Sequence, residues 1–219
     1  MRRVALFLLF IVTIPLTSLA DLSYDYSTYA FVGYKVGSTY QTLSDSQFNK
    51  TASAYKSSSP YRAGSQAYPL STPNQFGTAG IFWPRANSND GVWAWAEMIG
   101  TITVDDSIAN AQLNIQYEAA NKPSDIQPSN ASYYMAIGKN DFSTILFECS
   151  SFGTASFSLP VNGGDRFDYY LYYSIGSEYQ PVYNSSLFVT GTIATFTLIP
   201  EPTTISLLGL GLLALRRKK

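Results

Sequence analysis

The sequence predicts an all-β protein, an antiparallel β-sandwich of jelly-roll type, from three observations. Several short segments alternate apolar and polar residues with a period of two, which is typical of half-buried strands. The composition is rich in Ser, Thr, Asn, Gly and Tyr, with 17 tyrosines, and these residues favour strands and turns. No convincing amphipathic helix separates the segments. Short strands at this spacing indicate a sandwich.

An N-terminal signal peptide is predicted over residues 1–20. Arg2 and Arg3 form a short basic region, residues 4–16 are apolar, and Ser18-Leu19-Ala20 presents small residues where a signal peptidase reads. Cleavage is therefore expected between Ala20 and Asp21.

Residues 21–198 are predicted to form a single domain, a length that fits one core. The polar segment 39–75 has too few aliphatic residues for a core of its own and is expected to form a long excursion, or lid, over the sandwich. Strands are predicted at 24–34, 93–104, 113–118, 133–137, 145–149, 155–159, 167–175, 179–183 and 187–198.

The segment 160–165 contains an Asn162-Gly163 step, which supplies the positive backbone angles of a tight turn. We expect it to join the strands on either side as a β-hairpin.

The charge of the whole chain, −1, hides an acidic body. If both ends are removed, eight of the 14 basic residues and 14 of the 15 acidic residues remain, which gives a net charge of −6. Such a body is not expected to bind nucleic acid, which requires Lys and Arg to neutralise phosphates.

The chain has no histidine, which excludes a Ser-His-Asp triad, a Cys-His pair and a histidine general base. A glycosidase needs only two carboxylates, and Glu97, Glu118 and Glu148 lie on predicted strands. Each also fits the outward polar position of an alternating strand. We therefore expect no catalytic residues and no enzyme, with a carboxylate-dependent polysaccharide hydrolase or lyase as the remaining alternative.

No cofactor is expected, and calcium is the metal to consider because it takes oxygen ligands. Asp105, Asp106 and Asp165 are the candidate ligands for a structural calcium ion, although paired Asp residues in turns usually bond their own backbone.

Aromatic residues suggest a glycan-binding surface. If Phe167, Tyr169, Leu171 and Tyr173 face the core, then Asp168, Tyr170 and Tyr172 face outward, where they could stack on and hydrogen-bond a sugar. The tryptophans Trp83, Trp93 and Trp95 could act similarly. We favour the alternative that Trp93 and Trp95 belong to the core and that the excursion covers the outward tyrosines, because contiguous exposed aromatic patches are uncommon.

The C-terminal region carries Pro200-Glu201-Pro202, an apolar run over 203–215 and four cations at 216–219. As a helix, the run would rise about 20 Å, against a hydrocarbon core of about 30 Å. It predicts a marginal membrane anchor whose basic end stays on the cytoplasmic side.

This region resembles the PEP-CTERM sorting signal. The resemblance implies insertion of the apolar sorting helix, processing by an exosortase of a Gram-negative bacterium, and delivery to the outer surface or extracellular matrix. An ordinary tail anchor would account for the apolar run and cations but not for Pro200-Glu201-Pro202.

Three functions follow. The favoured one is a non-enzymatic cell-surface or matrix protein associated with exopolysaccharide or biofilm. The second is a glycan-binding β-sandwich module, and the third is the carboxylate-dependent enzyme. The partners expected are signal peptidase, exosortase and extracellular polysaccharide.

Overall fold

A computed structural model describes residues 22–36, 38–58, 61–72, 74–83, 91–122, 131–178 and 188–200. This part of the chain is all-β, as predicted, and no helix within it is long and apolar enough to cross a membrane. Its strands are β1 (Leu22–Val36), β2 (Thr39–Phe48), β3 (Ala52–Ser58), β4 (Tyr61–Pro69), β5 (Gln75–Trp83), β6 (Gly91–Val104), β7 (Ala111–Lys122), β8 (Ala131–Lys139), β9 (Thr144–Cys149), β10 (Gly153–Val161), β11 (Arg166–Glu178) and β12 (Phe188–Pro200). The predicted strand at 179–183 lies outside the described residues.

The strands form two antiparallel sheets of six. Sheet A has the order β2-β1-β6-β11-β8-β9, and sheet B has the order β10-β7-β12-β5-β4-β3. Within each sheet the only sequence neighbours that pair are β1 with β2, β8 with β9, and β3 with β4 with β5. The other connections between described strands pass from one sheet to the other, so the chain wraps a core that both sheets share.

The core follows the period-2 alternation of the sequence. In β11, Phe167, Tyr169, Leu171 and Tyr173 are buried, as predicted, at 0 to 1% exposure. Four buried tyrosine hydroxyls have no hydrogen-bond partner in the described part of the chain, those of Tyr24, Tyr117, Tyr169 and Tyr173. The sandwich thus uses tyrosine rings as apolar filling and leaves these hydroxyls unsatisfied.

The expected excursion over residues 39–75 is wrong. This segment forms β2, β3 and β4, which extend both sheets. Small side chains take the place of the missing aliphatic residues. The buried ones, at 0 to 5% exposure, are Ala52, Ala54, Ala63 and Ala67. Alanine side chains are small, so this part of the core could not be recognised in a segment of polar composition.

The expected hairpin at 160–165 is also wrong, although the turn itself is present. β10 pairs with β7 in sheet B, whereas β11 pairs with β6 and β8 in sheet A. The Asp165 N–H donates to the Asn162 carbonyl at 3.1 Å, and Gly164 has a φ of 81°. The apolar rows of β10 and β11 face the shared core from opposite sheets. The turn therefore connects one sheet to the other and does not join two paired strands.

Candidate functional site

An aromatic ladder crosses the outer face of sheet A. Paired residues of an antiparallel sheet share a face, and Phe31 of β1 pairs with Trp95 of β6. In the same way, Tyr172 of β11 pairs with Glu97 and with Tyr134 of β8. These positions alternate with the buried ones, so they face away from the core. We define the aromatic ladder as Tyr29, Phe31, Trp95, Tyr172, Tyr170 and Tyr134.

Ring contacts connect the ladder from β1 to β8. Trp95 stacks on Tyr29 and Phe31, with centroid distances of 4.7 and 5.5 Å and interplanar angles near 30°. Trp95 and Tyr172 lie 6.2 Å apart, and Tyr172 stacks on Tyr170 at 6.2 Å and 16°. Tyr170 and Tyr134 are 5.9 Å apart. Each ring is partly exposed, so the ladder offers a continuous amphipathic surface to solvent.

Two carboxylates fix the hydroxyl ends of the ladder. The Tyr170 hydroxyl donates to Glu97 Oε2 at 2.8 Å, and the Tyr134 hydroxyl donates to Glu148 Oε2 at 3.2 Å. Burial, and next the hydrogen bond to the carboxylate, raise the pKa of both phenols. Both hydroxyls therefore remain donors at neutral pH, and each carboxylate keeps lone pairs for a further donor.

Trp93 extends the same face toward β2. It pairs with Gly33 of β1 on one side and with Gly176 of β11 on the other. Its indole occupies the space where another residue at position 33 would carry Cβ. The ring of Tyr40, 58% exposed, lies 6.2 Å away. Gly33 thus gives the indole room to lie across β1, whereas Gly176 on the other side approaches only the Cβ atom of Trp93.

The structure brings some of the predicted glycan-binding residues together and separates another. Tyr170 and Tyr172 lie side by side on the outer face, as expected. Asp168 shares that face of β11, but its Oδ2 accepts the Asp141 N–H at 2.8 Å, beyond the end of the ladder. The binding role of these three residues stays a prediction.

The interpretation that we favoured for the aromatic residues is wrong on two points. Trp93 and Trp95 face outward and are partly exposed, whereas Ala94 and Ala96 between them are buried. The described residues of the segment 39–75 do not cover Tyr170 and Tyr172, because they continue the two sheets. The side chain of Trp83 lies outside the described residues.

Sequence reasoning missed Tyr29, Phe31 and Tyr134. Their own strands gave a usable signal, since Tyr29 and Phe31 alternate with the buried Ala30 and Val32. What could not be read is that β1 and β6 are neighbours, because they are far apart in sequence and pair only in the folded sheet.

The three candidate catalytic carboxylates lie on three different strands, and one of them is on the opposite sheet. Glu118 lies on β7 in a shallow groove of sheet B, lined also by Gln116, Thr154, Ser156 and Thr195. Glu97 and Glu148 lie on sheet A, on β6 and β9, with β11 and β8 between them. Three strand spacings, roughly 14 Å, therefore separate the backbones of these two residues.

The candidate calcium ligands serve turns. Asp105 Oδ1 accepts the Ser107 hydroxyl at 2.5 Å and the Ser107 N–H at 2.8 Å, and these bonds lower the pKa of Asp105. Asp165 Oδ2 accepts the Asn162 N–H at 2.8 Å, and its Oδ1 lies 3.6 Å from Lys139 Nζ. Among the described residues, no group of three or more acidic or thiol side chains, Asp106 included, is arranged to hold a metal ion.

The last strand runs into the candidate sorting motif. β12 ends at Pro200, and its Ile199 and Pro200 pair with Gln112 and Ala111 of β7. The strand therefore continues two residues past the predicted end of the domain at residue 198. Glu201, Pro202 and the apolar run lie outside the described residues, as do Ala20, Asp21 and the predicted signal peptide.

Comparison with known proteins identifies the C-terminal region. Residues 198–219 match the family model of the PEP-CTERM protein-sorting motif, which confirms the resemblance of the tail. A motif of this kind indicates an exported surface protein. No curated protein matches the chain.

Two solved structures resemble the chain weakly. A structure of TmCBM61 in complex with β-1,4-galactotriose aligns with 65% of this chain and 90% of its own, at 10% identity and a TM-score of 0.26. The secreted serine protease VesC from Vibrio cholerae aligns with 83% of this chain and 51% of its own, at 8% identity and a TM-score of 0.26. Both scores are too low to bear on fold or function.

Proposed function

We propose, on the premise that the chain carries a PEP-CTERM protein-sorting motif, that it is a non-enzymatic protein of the outer cell surface or extracellular matrix. In this proposal a signal peptidase and an exosortase process its two ends, and its body binds extracellular polysaccharide along the aromatic ladder of sheet A. Binding of this kind would associate the protein with exopolysaccharide in a biofilm.

The observation that carries the proposal is the continuity of the ladder. Aromatic rings that lie side by side offer apolar faces to the C–H faces of sugar rings, and a contiguous exposed aromatic patch on a protein is often a binding site. From β1 to β8 the ladder crosses three strand spacings, roughly 14 Å. An extended open surface suits a polymer better than a small molecule, which proteins usually hold in a cavity.

The carboxylates add polar recognition to this surface. Glu97 is held beside Tyr170 by a 2.8 Å hydrogen bond, which orients it before any ligand arrives. The remaining lone pairs of the Glu97 carboxylate can accept hydrogen bonds from sugar hydroxyls. Since Glu97, Glu148 and the net charge of the body are all negative, the surface suits an uncharged polysaccharide better than a polyanion.

A binding role without catalysis is supported by the same geometry. Both carboxylates are engaged with tyrosine hydroxyls, and the sequence offers no histidine as an alternative base.

Strand order supports the jelly-roll assignment of the body. Taken alone, β5 to β12 form one four-stranded order, β5-β12-β7-β10, and a second, β6-β11-β8-β9. Consecutive strands alternate between the two sheets except at the β8–β9 hairpin, the pattern expected of two Greek keys wrapped around one core. In this view β1 and β2 widen one sheet and β3 and β4 the other.

A polysaccharide panel tests the proposal. Protein purified from its native host is compared with the variant Trp95→Ala/Tyr172→Ala by affinity electrophoresis in gels of xyloglucan, galactomannan, mixed-linkage glucan and alginate. We expect binding to an uncharged polysaccharide and a loss of at least about tenfold in the variant, equivalent to about 1.4 kcal/mol.

The matched control is Phe48→Ala, because Phe48 is 64% exposed on the edge strand β2 and has no place in the ladder. It should bind as the unmodified protein does. If no polysaccharide of the panel binds, or if the ladder variant binds unchanged, the proposed binding function is wrong. Mass spectrometry of both termini of the purified protein tests the processing separately.

A further inference from the structure

The outer face of sheet B carries a second set of aromatic rings on glycines. Tyr55 of β3 pairs with Gly64 of β4, and Tyr68 of β4 pairs with Gly77 of β5. A Cβ atom placed on Gly64 would lie 2.8 Å from Tyr55 Cδ2, and one placed on Gly77 would lie 3.3 Å from Tyr68 Cζ. Each ring therefore extends over the neighbouring strand at a position where glycine leaves space.

These rings have the arrangement seen for Trp93 over Gly33 on sheet A. A ring that leans across a glycine packs one side on the sheet and leaves the other open to solvent. Tyr55 is 53% exposed, and Tyr68 is partly exposed. The repetition of the pattern on both outer faces indicates a surface property, because core packing does not require it.

A polar side chain lies between the two rings. Gln66 is exposed on β4, on the same face as Gly64 and Tyr68. Gly64 and Tyr68 are four residues apart along β4, so the two rings are separated by roughly 13 Å along the strand. The amide of Gln66 has two donors and an acceptor, which suits the hydroxyls of a sugar unit that lies between the two rings.

We propose that Tyr55, Gln66 and Tyr68 form a second binding surface for an uncharged polysaccharide, and that the protein thereby cross-links two polysaccharide chains. The ladder of sheet A and this surface lie on opposite outer faces of the sandwich. Each surface therefore binds a different polysaccharide chain. This inference rests on the proposed function for the identity of the ligand. A protein with two such sites can link polysaccharide chains into a network, and the two sites together raise the overall avidity.

Light scattering from mixtures of protein and polysaccharide tests the inference. The probe is the polysaccharide of the panel that binds the unmodified protein most tightly. Cross-linking predicts a rise in scattering with a maximum at an intermediate ratio of protein to polysaccharide. In the variant Tyr55→Thr/Tyr68→Thr, which replaces the rings by β-branched residues that also favour strands, the rise should disappear while binding in the gel weakens by no more than about threefold.

Three further measurements separate the outcomes. Sedimentation without polysaccharide should show a monomer, since self-association would also raise scattering. Gln66→Ala, which leaves both rings in place, should weaken cross-linking, and the exposed control Phe48→Thr should not. The inference is overturned if Tyr55→Thr/Tyr68→Thr still cross-links, or if Trp95→Ala/Tyr172→Ala removes all binding and leaves none for sheet B. A complete absence of binding by the unmodified protein overturns the proposed function as well.

Discussion

The indole of Trp93 in β6 occupies the space above Gly33 in β1, where any other residue would place its Cβ atom. On the other side, a Cβ on Gly176 would lie 3.3 Å from Trp93 Cβ, which is closer than usual but does not involve the indole ring. The indole therefore leans toward β1 and reaches the edge strand β2, where it meets Tyr40. One glycine determines how a large aromatic surface is presented to solvent.

Gly33→Ala should displace this indole and weaken polysaccharide binding without removing an aromatic residue. The collision involves ring atoms, so either Trp93 rotates away from the sheet or the strands shift, at a cost of about 1 to 3 kcal/mol in unfolding free energy. Urea denaturation and tryptophan fluorescence report the change, and affinity electrophoresis reports binding. Gly176→Ala is the matched control and should have the smaller effect on both.

Local features of this fold were predictable from the sequence, whereas strand neighbours were not. The alternation in 167–175 predicted which residues of β11 are buried, because a period of two is a property of each strand alone. The Asn162-Gly163 step predicted a turn but not the sheet to which its flanking strands belong. The buried alanines of β3 and β4 escaped notice because core volume was sought in large residues.

The candidate site depended on these same neighbours. Tyr170 and Tyr172 were found from a single strand, since both lie on β11. Tyr29 and Tyr134 join them only because β1 and β8 lie on either side of the β6–β11 pair. Long-range pairing is what assembles the ladder, and a single sequence contains no direct signal for it.

Tyr170→Phe should lower both stability and polysaccharide affinity, because it removes the donor that holds Glu97. The pair is only partly buried, so we expect a loss of about 1 kcal/mol in unfolding free energy. Affinity should fall less than in a variant that removes a ring of the ladder. In the double variant Tyr170→Phe/Glu97→Ala the losses should be less than additive, since each change removes one partner of the same hydrogen bond. Additive losses would argue against this coupling.

Tyr173→Phe should leave the free energy of unfolding unchanged or raise it by up to about 1 kcal/mol. The Tyr173 ring is fully buried, and its hydroxyl is buried without a partner in the described part of the chain. Removing an unsatisfied polar group relieves its desolvation penalty, although the lost atom slightly loosens its contact with Gly80. Urea denaturation of both variants should show a loss of stability for Tyr170→Phe and none for Tyr173→Phe.

Alkaline pH should unfold the protein cooperatively. Burial raises the pKa of Tyr24, Tyr117, Tyr169 and Tyr173 above the ordinary value of 10.0. The pKa of each of these tyrosines is higher in the folded protein than in the unfolded chain. Their contribution to the free energy of unfolding is therefore fully present below pH 10 and is lost as the pH rises above 10. Tyrosinate absorbance should show exposed tyrosines titrating first and the buried ones only with loss of structure. Tyr169→Phe/Tyr173→Phe should move the second step to higher pH.

Thr78 and Thr192 should be energetically coupled on the core-facing side of sheet B. Their hydroxyl oxygens lie 2.6 Å apart, both residues are buried at 0 to 1% exposure, and they are direct partners across β5 and β12. Thr78→Val alone leaves the Thr192 hydroxyl without this partner and should cost about 1 to 3 kcal/mol, whereas Thr78→Val/Thr192→Val replaces both by apolar groups of similar shape and should be nearly neutral. Urea denaturation of the two single variants and the double variant gives the coupling energy. A double variant as unstable as the sum of the single ones would mean that each hydroxyl is stabilised independently.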